Sequence, residues 1–323
     1  MNSITHIEQV GKIKKTSNKG FKDKGNYGYL FVLPFFILLL LFAIIPNIFT
    51  FFISFTKWNN YTDLAFVGLK NYIKIINDGL FFKSLFNTLR IMLIALPIGI
   101  VLSISLAFII DQNIVKRAGI FKTLYFLPYI TTPVAVGTLF GLIFDYQTGF
   151  INLILQSLGI FEEPVYWMSK PMYVVVIVSI IVLWKSFGYN MILYLAGLKT
   201  IPKELYEAAD IDGANIWQKF FYISIPKLRS VTMFVVITSL IWGLQIFDEP
   251  ALLLVATNTS ASIASTIGGP DKSVYTLVSY VYEEGFILFR EGMASAVAYL
   301  MTIVIVIFSA LSVKILNKGQ GES

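Results

Sequence analysis

The chain has 323 residues, of which 56% are hydrophobic, 15% are aromatic and 14% are charged, and its mean hydropathy is +0.74. A soluble domain carries about 25% charged residues. This composition excludes an ordinary soluble enzyme and a disordered protein, and it indicates an integral membrane protein. The chain has no Cys, and its one His, His6, lies in a Lys-rich tail. Disulfide frameworks, thiolate or imidazole metal sites and Ser-His-Asp triads are therefore excluded as well.

Six stretches of the sequence are apolar and long enough to cross a bilayer, which takes about 20 residues. A Lys-rich tail, residues 1–26, precedes them and has no apolar run, so no cleavable signal peptide is predicted. The predicted spans are residues 28–55, 88–110, 121–144, 172–196, 230–255 and 292–314. The predicted fold is therefore all-α and polytopic, with a transmembrane domain at 27–316 and a short tail at 317–323.

Two further uncharged stretches do not qualify as spans. Pro250–Pro270 ends in a run of Ser, Thr, Asn and Gly, so only its first residues can extend the fifth span. Tyr146–Phe161 has 16 residues and includes Gln, Asn and Gly, which makes it too short and too polar to cross the membrane. We expect an amphipathic helix at the membrane interface there.

The basic residues are distributed unevenly between the two sides of the predicted spans. With the N-terminus in the cytosol, 16 of the 25 Lys and Arg residues lie on the cytosolic side and eight lie outside. Because short loops rich in Lys and Arg stay in the cytosol, both termini are predicted to be cytosolic. The net charge of +6 is thus a topology signal, and no nucleic-acid partner is expected.

Proline and glycine within the spans predict kinked and closely packed helices. Pro128 and Pro133 interrupt the third span, and the first, second and fifth spans also contain proline. A membrane tolerates such a kink where protein or a water-filled cavity satisfies the freed carbonyl group. Gly137 and Gly141 form a GxxxG step, which lets two helices approach closely. Transport bundles, channels and receptors all use helices of this kind.

The loop between the fourth and fifth spans, residues 199–229, holds nine charged residues. Pro202 is typical of a first helical turn and Gly213 of a helix end. A second, amphipathic segment, Ala214–Ile225, is predicted to stop at Pro226. The small residues that the two helices would leave facing water are Ala208, Ala209, Gly213 and Ala214. Such a surface predicts a docking site for another protein, and a solvated loop that merely joins two spans is the alternative.

Within this loop, three sequence features resemble the EAA loop of bacterial ABC importer permeases: Glu207-Ala208-Ala209, Gly213 and Ile223-Ser224-Ile225-Pro226. Further stretches are similar to the carbohydrate-uptake, maltose-type subfamily: Ile201–Ala209, Ile211–Ala214, Phe247-Asp248 and Gly268–Pro270. The resemblance covers nearly the whole chain from the first span onward. Two features depart from it, because Ile225 stands where Leu is usual and Asn258–Ile267 looks inserted.

The resemblance implies a type I ABC importer permease-like bundle in the bacterial cytoplasmic membrane, forming half of the translocation pathway for a sugar (a di- or oligosaccharide). The implied partners are a second homologous permease subunit, two ATPase subunits, an extracytoplasmic solute-binding protein and membrane lipid. The implied ATPase-coupling residues are Glu207, Ala208, Ala209, Asp212, Gly213, Ile223 and Pro226. The sequence lacks a P-loop motif. The chain is therefore expected to be no enzyme, to bind no cofactor or metal, and to leave ATP and Mg²⁺ to the partner ATPase subunits.

Charged residues inside the spans point to the substrate pathway, because each is unfavourable by ~2.5–3.5 kcal/mol or more at the membrane centre. Lys185 lies near the middle of the fourth span, and Asp248 and Glu249 lie in the outer part of the fifth. Lys185 could pair with Asp248 as a latch, contact substrate or snorkel, and the sequence leaves these three roles open. Nearby aromatic rings with polar groups suit sugar faces and hydroxyls. The candidate pathway residues are Trp184, Lys185, Tyr189, Asn190, Gln245 and Asp248.

An ion-coupled secondary carrier of small polar solutes is the alternative function. Such a carrier would use membrane-embedded acids such as Asp248, but it would give loop 199–229 no role. A channel or scaffold would explain the spans and likewise leave the loop unused. A bulky residue at Gly213 should separate the classes, because only an importer needs this loop to dock on an ATPase.

Overall fold

The computed structural model describes residues 27–59, 64–112, 117–257 and 263–317. The predicted tail 1–26, the end of the chain from 318 to 323, and residues 258–262 of the apparent insertion lie outside the described residues. The chain divides into two units, residues 1–49 and 50–323.

The first predicted span is an apolar helix with one wider turn. It consists of α1 (Tyr27–Leu39), a π-helical turn (Leu40–Ile44) and α2 (Ile45–Ile53). The Ile45 N–H donates to the Leu40 carbonyl, five residues back, immediately before Pro46. A regular α-helix would press the proline ring against the carbonyl four residues earlier, and the wider turn relieves that clash.

The second unit is mainly helical. Two short strands, β1 (Thr56–Lys57) and β2 (Ala65–Phe66), pair antiparallel, with Thr56 opposite Phe66. The helices that follow are α3 (Lys70–Asn77), α4 (Leu80–Asp111), α5 (Ala118–Ile130), α6 (Pro133–Ile143), α7 (Phe150–Ser157), α8 (Pro171–Leu198), α9 (Lys203–Ile211), α10 (Ile216–Lys219), α11 (Ile225–Lys227), α12 (Arg229–Leu244), α13 (Asp248–Ala256), α14 (Ile263–Thr266), α15 (Leu277–Tyr282) and α16 (Glu291–Asn317). Further π turns lie at Phe220–Ser224 and Glu283–Ile287, and 3₁₀ turns at Trp167–Ser169 and Pro270–Lys272.

Among the described residues, four helices are long and apolar enough to cross a membrane: Tyr29–Ile53, α4, α8 and α16. Two bent helix pairs raise the number to six if each pair is one span. They are α5 with α6, bent by 98°, and Ile216–Lys227 with α12, bent by 64°. The structure thus gives four to six candidate spans where the sequence predicted six. The short helix α7 lies within the stretch 146–161 that was expected to lie at the interface.

The third predicted span, 121–144, is two helices rather than one. Thr131 and Thr132, between α5 and α6, are extended, with ψ values of 137° and 141°. Thr132 precedes Pro133, and a proline ring disfavours the helical conformation at the residue before it. The chain therefore turns sharply here, and Pro133 opens α6 in its first turn, where proline is well tolerated.

The fifth predicted span, 230–255, is divided as well. α12 ends at Leu244, and α13 begins at Asp248 after a non-helical segment. Asp248 and Glu249 lie in the first turn of α13, where carboxylates interact favourably with the helix dipole. The apolar start of Pro250–Pro270 therefore belongs to a separate helix instead of continuing the one before it.

The core of the second unit is organised around α8, which packs against α4, α5, α12 and α13. One buried cluster gathers Val174–Val178 of α8 with residues of α4, α6 and α13, and another gathers Met191–Leu198 with α4 and α12. The Ser103 hydroxyl of α4 donates to the Phe187 carbonyl of α8 at 2.8 Å. α4 begins at Leu80, eight residues before the predicted span, because Lys83 lies on the helix instead of ending it.

Glycines on two helices, α6 and α8, bring these helices into close contact with their neighbours. A Cβ atom on Gly137 would lie 2.8 Å from the carbonyl carbon of Leu252, and one on Gly141 would lie 3.0 Å from the Cβ of Ala256. The close approach predicted from the GxxxG step is therefore confirmed, with α13 as the neighbour of α6. On α8, a Cβ on Gly188 would overlap the carbonyl oxygen of Tyr125 in α5.

Candidate functional site

Loop 199–229 begins with α9, which ends in a left-handed turn. Gly213 has a φ of +73°, and the Ala214 N–H donates to the Ala209 carbonyl at 2.9 Å. A left-handed residue, usually glycine, closes a helix end in this way and satisfies its last carbonyls. The predicted helix end at Gly213 is confirmed, whereas Pro202 precedes α9 instead of lying in its first turn.

The second helix of the loop, Ile216–Lys227, has the predicted length but lies two residues further along the chain. It starts with a capping box, in which Asn215 Oδ1 accepts from the Gln218 N–H at 2.9 Å and Gln218 Oε1 accepts from the Asn215 N–H at 2.7 Å. It then runs on through Pro226 to Lys227. The predicted stop at Pro226 is wrong, because the preceding π turn opens the helix where the proline ring would otherwise clash.

Side-chain contacts hold the two loop helices together and fix them to the bundle. The Tyr206 hydroxyl of α9 lies 2.9 Å from Ser224 Oγ, and burial raises the pKa of Tyr206. Asp210 and Lys219 form an ion pair between α9 and α10. Phe220 is buried, and its ring centroid lies 4.8 Å from that of Phe108 in α4. These contacts tie α9 to the helix that leads into α12.

The residues that resemble the EAA motif lie mostly on the surface of the loop. Glu207, Ala208, Asp212, Gly213 and Pro226 are exposed, and Ala209 and Ile223 are half-buried. Three large apolar side chains beside them are exposed as well, which was not predicted: Ile211, Trp217 and Tyr222 are 88%, 62% and 80% exposed. The exposure of Ile211 could have been predicted from the sequence, because an isoleucine between two aspartates at a helix end is not expected to be buried.

An ion pair joins α8 to α13, the two helices that carry the charged residues predicted to lie within the membrane. Lys185 lies midway along α8, and its Nζ is 2.6 Å from Oε1 of Glu249. The two side chains are only 17% and 16% exposed, so the pair is a largely desolvated, charge-assisted hydrogen bond. A latch exists, but the suggested partner Asp248 is wrong. Successive helical residues point about 100° apart, so Glu249 faces α8 while Asp248 is exposed.

Two aromatic candidates are held by neighbouring rings. Trp184 packs edge-on against Phe140 of α6, with ring centroids 5.5 Å apart. Tyr189 stacks on Tyr129 of α5, with centroids 4.6 Å apart and an interplanar angle of 13°. Both rings are half-buried, so each keeps part of its surface available to a ligand.

The remaining two candidates differ in burial. Asn190 is buried in α8. Gln245 is exposed at the break after α12, and its Nε2 donates back to the Ile241 carbonyl at 2.9 Å. The neighbouring Trp242 is 74% exposed. The break thus presents an exposed aromatic ring and an exposed amide, both shortly before Asp248 and Glu249 in the sequence.

The family described as binding-protein-dependent transport system inner membrane component matches residues 29–321. The chain belongs to this family. This permease is 35% identical over 303 residues to the arabinooligosaccharides transport system permease protein AraP of Bacillus subtilis (strain 168), covering 94% of this chain and 92% of AraP. It is 33% identical over 285 residues to the lactose transport system permease protein LacF of Rhizobium radiobacter, covering 88% of this chain and 92% of LacF.

A solved structure shares the fold of this permease. It is that of a bacterial alginate ABC transporter in complex with an alginate pentasaccharide-bound periplasmic protein, with a TM-score of 0.73, 23% identity, and coverage of 88% of this chain and 92% of that chain. Together with the four to six helices that could cross a membrane, the family makes this chain a multi-pass inner-membrane component of a transport system. It is a transport subunit and not a catalytic enzyme.

Proposed function

We propose that this permease forms half of the translocation pathway of an ABC importer for di- or oligosaccharides. The names of its relatives support a sugar substrate, since AraP is a permease for arabino-oligosaccharides and LacF one for lactose. The family name and the periplasmic protein of the alginate transporter support a solute-binding protein as partner. A second, homologous permease subunit would supply the other half of the pathway.

The proposed topology has six spans, as in a type I importer bundle, with each bent helix pair or divided helix counted once. Both termini would be cytosolic, which the excess of Lys and Arg on that side supports. Loop 199–229 would then face the cytosol as the coupling loop within a transmembrane domain at 27–316, between cytosolic tails at 1–26 and 317–323.

Two ATPase subunits would drive transport by binding loop 199–229. The observation that carries this proposal is an exposed surface, formed by Glu207, Ala208, Gly213 and the apolar Ile211, on helices that are rigidly tied to the bundle. Movement of that surface would rotate α12 and the spans behind it, as rigid-body domain motion does in other transporters. ATP and Mg²⁺ would be used by the ATPase subunits, and this chain would bind no cofactor.

Sugar would pass along the broken fifth span and the face of α8 opposite it. The proposed contacts are Trp184, Lys185, Tyr189, Asn190, Gln245 and Asp248. Partly exposed aromatic rings provide apolar faces for sugar C–H groups, and amide and carboxylate oxygens accept hydrogen bonds from hydroxyls. A discontinuous span supports such a pathway, because irregular backbone within a membrane is tolerated where it lines a cavity.

The test is uptake of labelled oligosaccharide into proteoliposomes that contain the whole complex and the solute-binding protein. We expect uptake to require ATP. Gly213→Trp should lower uptake and ATPase co-purification by about 30-fold or more, the effect of losing ~2 kcal/mol at the centre of an interface.

Gly213→Asn is the matched control, because Asn tolerates a left-handed backbone and a Cβ at this position meets only open space. It should retain most of the uptake. Uptake driven by a proton or sodium gradient without ATP would instead establish a secondary carrier, and a Gly213→Trp complex with full uptake and bound ATPase would contradict the importer.

A further inference from the structure

Four exposed lysines, Lys57, Lys70, Lys74 and Lys83, lie between the first and second predicted spans. They are half of the eight Lys and Arg residues that the proposed topology puts on the extracytoplasmic side, where basic residues are normally scarce. Among the described residues of this stretch, 57–59 and 64–83, Asp78 is the only acidic one. This local excess of positive charge indicates an anionic partner.

The helix that carries two of these lysines, α3 (Lys70–Asn77), lies at the edge of the membrane. Asn71 Nδ2 donates to the carbonyls of Ser54 and Thr56, just beyond the end of α2, at 2.9 and 2.8 Å. α3 packs against α4 and α16, and a Cβ on Gly292 in the first turn of α16 would overlap the Thr56 carbonyl oxygen. The apolar run of α16, 25 residues long, measures ~37 Å and so exceeds the ~30 Å hydrocarbon core of a bilayer. Its first turn, and α3 beside it, therefore lie at the boundary between membrane and water.

One face of α3 fixes the helix to the bundle. Ile75 is fully buried, and Asn71 makes the two hydrogen bonds just described. The Tyr72 hydroxyl lies 2.7 Å from Ser54 Oγ. Because these three side chains hold the helix in one rotation about its axis, the directions of its other faces are determined as well.

A second face of α3 is apolar and exposed. It consists of Leu69, just before the helix, Ile73 and Ile76, which are 60%, 56% and 48% exposed. These residues follow the i, i+4, i+7 spacing of a single helical face. Lys70 and Lys74 are one turn apart and exposed, and they form a basic edge beside it. An apolar face bordered by lysines is typical of helices that lie in the membrane interface.

Lipid explains this surface better than a protein partner does. The core of a protein–protein interface is depleted in lysine, whereas lysines next to an apolar helix face bind anionic lipid. The apolar surface also continues along the chain into the membrane, since Phe82 and Phe86 on the first two turns of α4 are exposed. At this depth the apolar side chains contact acyl chains, and the long lysine side chains can reach the headgroups.

We propose that α3 binds anionic phospholipid in the extracytoplasmic leaflet, with Leu69, Ile73 and Ile76 against acyl chains and Lys70 and Lys74 on the phosphate group. The proposal uses the predicted orientation of the chain and is independent of the substrate. Because α3 is bonded to Thr56 of β1 and packs on α16, bound lipid fixes these elements relative to the membrane surface.

A fluorophore on a single cysteine tests the contact with lipid. The complete complex, with cysteine-free partner subunits, is reconstituted in nanodiscs with Ile73→Cys carrying bimane. We expect phospholipid with brominated acyl chains to quench this bimane and aqueous iodide to quench it little. Asn77→Cys is the matched control, because Asn77 is exposed at the end of the same helix but outside its apolar face. For this control iodide should be the stronger quencher.

The same reporter tests the headgroup. Stepwise exchange of brominated phosphatidylcholine for brominated phosphatidylglycerol gives the relative affinity of the two lipids beside residue 73. We expect phosphatidylglycerol to bind more tightly and Lys70→Gln to reduce this preference by about fivefold, the contribution of one lysine near an anionic surface. Lys70→Arg keeps the positive charge and should keep the preference. Lys70 is the better site for this test, because Lys74 also counteracts the raised pKa that burial gives to Glu284.

The possible results separate lipid from a protein partner. Iodide quenching at Ile73→Cys as strong as at Asn77→Cys overturns the proposal, and so does shielding that arises only when the solute-binding protein is added. Quenching by brominated lipid with no preference for phosphatidylglycerol, or with a preference that Lys70→Gln leaves unchanged, overturns the assignment of the lysines to the phosphate. None of these measurements requires transport, so each result leaves the sugar-import function as it stands.

Discussion

Loop 199–229 differs from the polar site, which consists of Lys185 on α8 and of Asp248 and Glu249 on α13, in how far along the chain its contacts reach. In the loop, Asp210 pairs with Lys219, nine residues away, and Tyr206 meets Ser224, 18 residues away. In the polar site, Lys185 pairs with Glu249 across 64 residues and between two helices. The loop is therefore a locally determined structure, whereas the polar site exists only when the bundle has assembled. Solvent differs too, since Asp210 is 61% exposed and Glu249 only 16%.

Removing the acidic partner of each ion pair should give the largest difference in stability change between the two regions. Glu249→Leu leaves Lys185 unpaired in the bundle and should destabilise the folded protein by about 3–5 kcal/mol, while the double variant Lys185→Met/Glu249→Leu should recover most of the loss. Asp210→Asn in the loop should change stability by less than about 1 kcal/mol, because Asp210 is 61% exposed and solvent already screens its charge. Thermal unfolding of the purified complex measures all of these variants. Losses that simply add in the double variant would show that the membrane pair is not coupled.

Glycine substitutions should test the close helix packing of the bundle that holds Lys185 in place. Gly188→Ala on α8 places a methyl group on the Tyr125 carbonyl oxygen, so backbone must move and the bundle should lose about 1–3 kcal/mol. Gly119→Ala is the matched control, since its Cβ meets no atom within 4 Å. Yield and melting temperature of the detergent-solubilised protein report the difference. A Gly188→Ala protein as stable as the control would mean that α5 and α8 are not in close contact.

The capping box of the loop should have a smaller and purely local effect. Asn215→Ala removes the cap of the second loop helix and should destabilise that helix by ~1 kcal/mol. We expect a several-fold loss of ATP-driven uptake with little change in the melting temperature of the complex. Asn215→Ser, which can still accept from the helix N-terminus, should restore uptake. Failure of this rescue would assign the loss to the amide itself and not to the cap.

Much of the loop could be predicted because its signals are local. Gly213 marks a helix end through its own backbone conformation, and the GxxxG step at Gly137 and Gly141 identifies a close contact without naming the partner helix. Pro226 was misjudged as a stop, because the π turn that accommodates it arises from the geometry of the preceding five residues and leaves no mark in the composition.

The polar site could be predicted only in outline. The cost of intramembrane charge identified Lys185 and the acidic pair, but the choice between Asp248 and Glu249 depends on the break after Leu244. An interruption of three residues resets which face of the helix points toward α8, and no local pattern fixes that rotation. Thr131 and Thr132 show the same limit, since the proline restricts its neighbour but does not specify a bend of 98°.

The proposed importer function depends most on loop 199–229 being the surface on which an ATPase docks, and labelling of a single cysteine tests this directly. The chain has no Cys, so Ile211→Cys introduces a unique reporter at a side chain that is 88% exposed. Leu158→Cys, beyond the end of α7 and 67% exposed, is the matched control.

We expect a membrane-impermeant maleimide to label Ile211→Cys from the cytosolic side when the permease is expressed without its ATPase subunits, and binding of those subunits should protect it. Leu158→Cys should be labelled from the opposite side and at the same rate in both preparations. Labelling of Ile211→Cys at an unchanged rate in the ATPase-bound complex, or from the extracytoplasmic side, would contradict the coupling function of the loop.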